Sequence, residues 1–446
     1  MSYAPYPAYK DSGVPRLGLV PVGWETSRID FQCTVKARLG WKGLTASEYV
    51  DEGYVFLATP NIKGKEIDFE NVNYINEQRY LESPEIMIEP GDVLLAKDGS
   101  TLGTTNFVRS LPRPATVNSS IAIVRPRKNN IDGAFIFRWI EADIIQSKIQ
   151  EMKDGQGVPH LFQSDIRKFP LPLPPLDEQM AIARFLDEKT AEIDSLIARM
   201  RELLRRLSEQ RTALITHAVT KGLNPDTPMK PSGIDWLGDV PEGWEVKKIK
   251  YLASYIGSGK TPRGGAEIYT DEGVMILRSQ NVYDDGLRLN DVAFVPEEVE
   301  ALQRNTRVRE GDVLLNITGA SIGRSSIVPA TLATANVNQH VCIFRSIPQK
   351  LQSRFLHAFF CSSAGKEQVS SNENGTSREG LNFRQAGNLV LALPPLSMQN
   401  DIVEHLDAEL AALDKVVKTT GYGIERLKEY RTALITDAVT GKIKVA

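Results

Sequence analysis

The run Gly257-Ser258-Gly259-Lys260-Thr261 has the residue types that close a phosphate-binding loop. Its spacing fails. The pattern requires glycine where Ser254 stands, and Pro262 opposes the helix whose N-terminus would hold phosphate. A glycine turn is the plainer reading, and an NTP-using enzyme built on this segment would show ATP hydrolysis that dies with Lys260→Ala. The histidines (His160, His217, His340, His357, His405) are scattered, with no HExxH and no carboxylates at ligand spacing. Cys33, Cys342 and Cys361 form an odd set without a CxxC, so reduced thiols are expected rather than a disulfide framework or a zinc module. These residues point to no catalytic site and no metal.

Chemistry suited to binding is better represented. Two glycine-bearing segments, Lys97-Asp98-Gly99-Ser100-Thr101-Leu102-Gly103-Thr104 and Asn316-Ile317-Thr318-Gly319-Ala320-Ser321-Ile322-Gly323-Arg324, each follow a Gly-Asp-Val-Leu-Leu run. Small residues let backbone approach a ligand, while hydroxyls and a cation suit phosphate oxygens and base edges. The polar triplets Asn118-Ser119-Ser120 and Asn338-Gln339-His340 come next, and Asn or Gln can pair in bidentate fashion with adenine. Asn61, Asn281, Arg263, Arg278 and Arg324 complete the candidate DNA-contacting set with Lys97, Ser100, Thr101, Thr104, Thr318 and Ser321. The same residue types also serve hairpin turns and polar strand ends. The net charge of −3 lacks the basic excess usual for nucleic-acid binding, yet residues 97–128 hold six Lys or Arg against the single Asp98.

These pairs of segments recur because the chain repeats itself at an offset of 220 over nearly all of its 446 residues. Val20-Pro21-Val22-Gly23-Trp24 matches Val240-Pro241-Glu242-Gly243-Trp244, Gly91-Asp92-Val93-Leu94-Leu95 matches 311–315, and Leu173-Pro174-Pro175-Leu176 matches 393–396. The period is too long for a solenoid, so each copy is read as a domain. Each has a divergent α+β part, about 20–172 and 240–392, with short strands at Tyr54 to Ala58, Ile86 to Ile88, Val93 to Ala96 and Ile121 to Arg125. An amphipathic helix with Phe135, Trp139, Ile140, Ile144 and Ile149 near one face follows.

The well-matched parts, 173–222 and 393–446, have heptad spacing. Leu186, Ile193, Ile197, Met200, Leu204, Leu207 and Leu214 form one seam; Leu406, Leu410, Leu413, Val417, Ile424, Leu427 and Leu434 form the other. Helices from Asp177 to Val219 and from Ser397 to Val439, each about 64 Å long at roughly 1.5 Å per residue, are expected to pack antiparallel. Arg211 and Arg431 interrupt the seams, and Gly421 and Gly423 are expected to loosen the second helix. Residues 1–19 read as an N-terminal segment and 223–239 as a linker. With no apolar run long enough for a membrane span and no signal-like N-terminus, a cytoplasmic protein is expected.

The duplicated Val-Pro-x-Gly-Trp entry, the Gly-Asp-Val-Leu-Leu run, Thr318-Gly319-Ala320-Ser321-Ile322-Gly323, Leu173-Pro174-Pro175-Leu176-Asp177-Glu178-Gln179 and the Arg-Thr-Ala-Leu-Ile-Thr helix ends (211–216, 431–436) together resemble the specificity subunit of type I restriction-modification enzymes. Ser397-Met398-Gln399 departs from the acidic pair usual before that glutamine. The resemblance implies two target recognition domains, each reading half of an asymmetric bipartite DNA site, on an antiparallel two-helix coiled coil. It implies docking of two methylation subunits, with two restriction subunits joining them. S-adenosylmethionine, ATP and Mg²⁺ would be bound by those partners and none by this chain, which would be non-catalytic. The rival reading is a scaffold whose two modules on a coiled coil bind other proteins and not DNA.

Overall fold

A computed structural model describes residues 3–38, 44–127, 130–153, 160–260, 268–372 and 380–445. Two compact units emerge, one of Met1–Met200 with Tyr422–Ala446 and one of Arg201–Gly421. Each is built from both copies of the repeat, because each long helix contributes one end to each unit.

In the first unit a four-stranded antiparallel sheet has the order Cys33–Lys36, Ile121–Pro126, Val93–Ala96, Thr105–Phe107. A second sheet places Tyr54–Leu57 between antiparallel Asn73–Ile75 and parallel Ala115–Val117. The second unit repeats both: Ala253–Ser258, Val341–Ser346, Val313–Asn316, Ser325–Ile327; and Ala293–Val295, Val274–Leu277, Ala335–Val337. Alternation along a strand explains why Val313–Asn316 is buried throughout. Leu314 joins the cluster with Leu277, Val337 and Ile343, whereas Val313 and Leu315 join Phe355 and Phe359 of the helix Ser353–Cys361. Covered on both faces, the strand can bury Val313, Leu314 and Leu315 in succession, and the polar Asn316 at its end donates to Ser279 O at 2.8 Å.

Two ion pairs, each on a buried aspartate, recur at the same offset. Arg125 donates from Nε and Nη2 to Asp92 at 2.7 and 2.8 Å, and Arg345 does the same to Asp312 at 2.8 and 2.7 Å. The aspartate of the Gly-Asp-Val-Leu-Leu run is therefore architectural. So is the glutamine after the Pro-Pro pair. Gln179 and Gln399 are fully buried; the first accepts from Asp132 N and donates to Asn130 O and Pro174 O, and the second accepts from Gln352 N and donates to Lys350 O and Pro394 O. Each pins the start of a long helix to its globular domain.

The long helices span Leu176–Lys221 and Leu396–Val439. Within the first unit Arg431 Nε donates to Asp194 Oδ1 at 3.1 Å, and Met200 fits against Gly423, where a Cβ would come within 2.6 Å of its Cε. Within the second, Arg211 pairs with Asp414, and Ile215 packs in one cluster with Val403 and Leu406. Higher numbers on one helix meet lower numbers on the other, so the packing is antiparallel in each unit. The arginines that interrupt the seams thus form one ion pair made twice, at positions 220 apart.

Four expectations need correction. Gly421 and Gly423 do not break the second helix, because the missing side chain at 423 admits Met200. Val417 leaves the seam, 38 % exposed, while Thr420 is buried; a helix of 3.6 residues per turn drifts off a strict seven-residue row. Ile86 to Ile88 is not a strand: Pro84 starts a 3-10 turn at Pro84–Ile86, although both isoleucines are buried. The amphipathic helix is two helices, Gly133–Glu141 and Asp143–Lys153, separated at the extended Ala142. Among the described residues no helix is long and apolar enough to cross a membrane.

Candidate nucleic-acid interface

In the first unit the glycine segment leaves the end of Val93–Ala96 and meets the polar triplet across the sheet end, with Lys97 N donating to Ser120 O at 2.8 Å. Leu161 N donates to Lys97 O at 2.8 Å, which adds residues 160–162 to the same surface. Gly99 and Gly103 adopt φ of 69° and 87°, left-handed values that explain the glycines. The three segments converge, as the repeat suggested, but their side chains differ in freedom. Lys97 is 8 % exposed with Nζ 3.2 Å from Asp98 Oδ2, and Asp98 also contacts His160 Nδ1. Asn118 Oδ1 accepts from Ser120 N, Thr101 Oγ1 donates weakly to Asp98 O, and Thr104 and Ser120 are half-buried. Ser100 and Ser119 are exposed.

The second unit brings together 317–324, 338–340 and 380–383 in the same way, with Ile317 N on His340 O at 3.0 Å and Leu381 N on Ile317 O at 2.8 Å. Thr318 Oγ1 lies 2.5 Å from His340 Nδ1, and Gln339 Nε2 lies 2.9 Å from His340 Nε2. Asn338, 7 % exposed, accepts from His340 N and shapes the turn, whereas Gln339 is exposed. Ser321 is half-buried and its hydroxyl accepts from the buried Asn316 Nδ2 at 3.1 Å.

Asn61 and Asn281 do not belong to this surface. Asn61 accepts from Ala58 N and donates to Asn71 O; Asn281 accepts from Arg278 N and donates to Arg288 O and Asp291 O. Buried and bonded to backbone on both sides of the amide, each closes a turn rather than reading a base. Arg278 is committed to Asp291, with Nη2 3.3 Å from its carbonyl oxygen. Arg324 stacks on Tyr283, its guanidinium carbon 4.6 Å from the ring centre. Arg263 lies outside the described residues. The phosphate-loop motif dissolves: Gly257 and Ser258 sit in the strand Ala253–Ser258, and a Cβ on Gly259 would fall 1.5 Å from Val337 O. That glycine permits a close backbone approach.

Residues the sequence reading passed over also sit here. Phe162 is 61 % exposed beside His160, with ring centres 4.5 Å apart, and Phe383 is 48 % exposed. Exposed aromatics beside hydrogen-bonding loops suit base stacking, and a bulky ring directly after a polar, glycine-bearing stretch was the available signal. Among the described residues no cluster of three or more His, Cys, Asp or Glu side chains could hold a metal ion.

A family model described as the type I restriction modification DNA specificity domain matches residues 21–205 and again 241–419. The chain belongs to that family. Curated relatives include the type I restriction enzyme MjaVIII specificity subunit of Methanocaldococcus jannaschii, 25 % identical over 430 residues covering 96 % of this chain and 94 % of the relative. The EcoBI specificity subunit of Escherichia coli is 25 % identical over 365 residues, 80 % of this chain and 74 % of that one. Among solved structures, a chain from a study of complex assembly and conformational transition in a type I R-M system matches with a TM-score of 0.72 at 17 % identity, covering 94 % of this chain and 98 % of the other. The HsdS subunit of Thermoanaerobacter tengcongensis matches at 0.52 and 16 %, covering 95 % and 98 %. In this specificity-family chain the two matched segments each contain one converging loop surface, at 97–104 with 118–120 and at 317–324 with 338–340.

Proposed function

We propose that this chain is the non-catalytic DNA-recognition subunit of a type I restriction-modification complex, reading a bipartite asymmetric site with one half per recognition domain (20–172 and 240–392). The observation that carries this reading is a single fold made twice with different side chains on the same loop surface, Ser100, Ser119 and Phe162 in one copy and Gln339, His340 and Arg324 in the other. Two readers of different half-sites need a common frame and unlike contacts. The helical regions 173–222 and 393–446 dock two methylation subunits and set the spacing of the half-sites, and two restriction subunits complete the assembly. S-adenosylmethionine, ATP and Mg²⁺ belong to those partners. The methylation subunits also supply much of the phosphate contact, which accounts for a net charge of −3.

The test is the motif methylated by the full complex, read by single-molecule sequencing, together with salt-titrated binding to duplex DNA. Gln339→Ala should relax base choice in one half-site only, costing about 1–3 kcal/mol for a lost base contact. An unchanged motif removes Gln339 from the reading surface. A complex that binds protein partners but no duplex DNA at any salt concentration would establish the scaffold reading instead.

A further inference from the structure

The second unit carries a feature at the rim of its loop surface that the first lacks. A short hairpin, Val282–Tyr283 paired with Gly286–Leu287, lies beside the strand Ser325–Ile327, and Ser325 N donates to Asp284 Oδ1 at 2.9 Å. Tyr283 on that hairpin is stacked by two cations: Arg324 at 4.6 Å and Arg288 at 5.0 Å from guanidinium carbon to ring centre. The two arginines are not equivalent. Arg288 Nη2 is held by Asp285 at 2.6 Å. Among the described residues no acceptor or carboxylate engages the Arg324 guanidinium, so stacking orients the group while its N–H donors stay open. Its backbone is fixed as well, with Asn316 N on Arg324 O at 2.8 Å and Arg324 N on Ser321 O at 3.2 Å.

A planar guanidinium held by an aromatic face, with its donors unspent, is preorganised for a ligand presenting two acceptors side by side. On a base-reading surface that ligand is the O6 and N7 edge of guanine in the major groove. Adenine offers one acceptor and one donor there, and cytosine a donor, so neither satisfies the fork. The alternative bidentate acceptor, a backbone phosphate, carries no sequence information. The first unit has no such device, since Lys63, Asp68 and Thr104 stand where Tyr283, Arg288 and Arg324 stand in the second.

We propose that Arg324, positioned by its stack on Tyr283, reads a guanine in the half-site assigned to the second unit. This rests on the DNA-recognition reading above and adds a base to it. Arg324 is the specificity residue; Tyr283 is a positioning residue, with the Arg288 guanidinium also placed over its ring.

The experiment uses the full complex and maps methylated sites for the wild type, Arg324→Ala, Tyr283→Phe and Tyr283→Leu, with thermal unfolding to confirm folding. A wild type with no bipartite motif overturns the recognition reading itself; a bipartite motif lacking guanine in both halves overturns only this proposal. With a guanine present, Arg324→Ala should lose roughly ten- to hundredfold discrimination at that one position and leave the other half-site intact. Tyr283→Phe keeps the ring and should retain the wild-type motif, while Tyr283→Leu should relax the same guanine as Arg324→Ala. An unchanged motif in Arg324→Ala, or a uniform slowing on all sequences as a phosphate contact would give, contradicts the proposal. So does a Tyr283→Leu variant that folds and still discriminates as the wild type does.

Discussion

In the first unit the cleft between the recognition domain and the long helices measures about 290 Å³ and is crossed by charge. Arg138, its side chain 5 % exposed, bonds Asp187 of the first long helix, Glu141 at 2.5 Å and Thr190 at 3.1 Å; Arg109 reaches Asp187 as well. Arg431 links Asp194 to Glu141, at 3.1 and 3.7 Å. The corresponding cleft of the second unit measures about 680 Å³. Its helix acids persist as Asp407 and Asp414, but Arg138 is replaced by Ala358, Arg109 by Pro329, Glu141 by Cys361 and Phe137 by His357. Asp407 is met instead by Arg354 at the exposed rim, and Arg211 has Asp414 but no carboxylate where Glu141 stood. The helices kept their aspartates, although Thr190 became Leu410, while the recognition domains changed their side of the junction, so the two domains are tied to their helices by unequal charge networks.

The largest test of this contrast is Arg138→Ala, which strands Asp187 and Glu141 on their rim partners. It should lower the unfolding free energy of the first unit by about 2 kcal/mol, as loss of charge-assisted hydrogen bonds from a buried guanidinium does, whereas Arg354→Ala, at an exposed pair, should change the second by under about 1 kcal/mol. Urea unfolding followed by hydrogen exchange on each unit measures both, and equal effects would break the comparison.

His357 sharpens it through pH. Burial pushes its imidazole below the ordinary value, against the opposing pull of Asp284, while the charges of Arg354 and Arg211 push the same way as burial. Above pH about 6.5 the ring is neutral in both states. Below it the unfolded chain takes up a proton that the folded chain refuses, so stability falls as pH drops toward the folded value, by at most about 1.4 kcal/mol per pH unit. His357→Phe, which copies the first unit, should flatten that dependence in the unfolding midpoint. A variant with the wild-type slope would assign the acid sensitivity elsewhere.

The smallest effect expected is between the seam arginines. Arg431→Ala removes contacts to both Asp194 and Glu141, and Arg211→Ala removes one to Asp414, so the first should cost more, by under about 1 kcal/mol. Paired thermal melts of the two variants decide the order.

Much of this molecule was legible before its coordinates. Identical spacing 220 residues apart marked Arg211 and Arg431 as a shared peculiarity, and the structure supplies the aspartates they face. The heptad rows placed both long helices to within a few residues, because a seam buried on one side has to repeat with the helix. What was hidden depended on pairing across long separations. Asn281 reads as a base-contacting amide until Arg288 O and Asp291 O are found bonded to it, and Gly259 reads as a phosphate cradle until Val337 O is seen against it. The role of Tyr283 was hidden as well, since its stack with Arg324 joins residues more than forty positions apart. The long helix kept its course through Gly423 for a similar reason: tertiary packing against Met200 outweighs the propensity penalty.

The central claim is that each recognition domain specifies its own half of the DNA site. The most direct test replaces residues 240–392 with a copy of residues 20–172 in the full complex and maps the methylated motif. The account predicts that the half first specified by the second unit becomes a copy of the other half. A motif that keeps its original second half, or loses both, would contradict it.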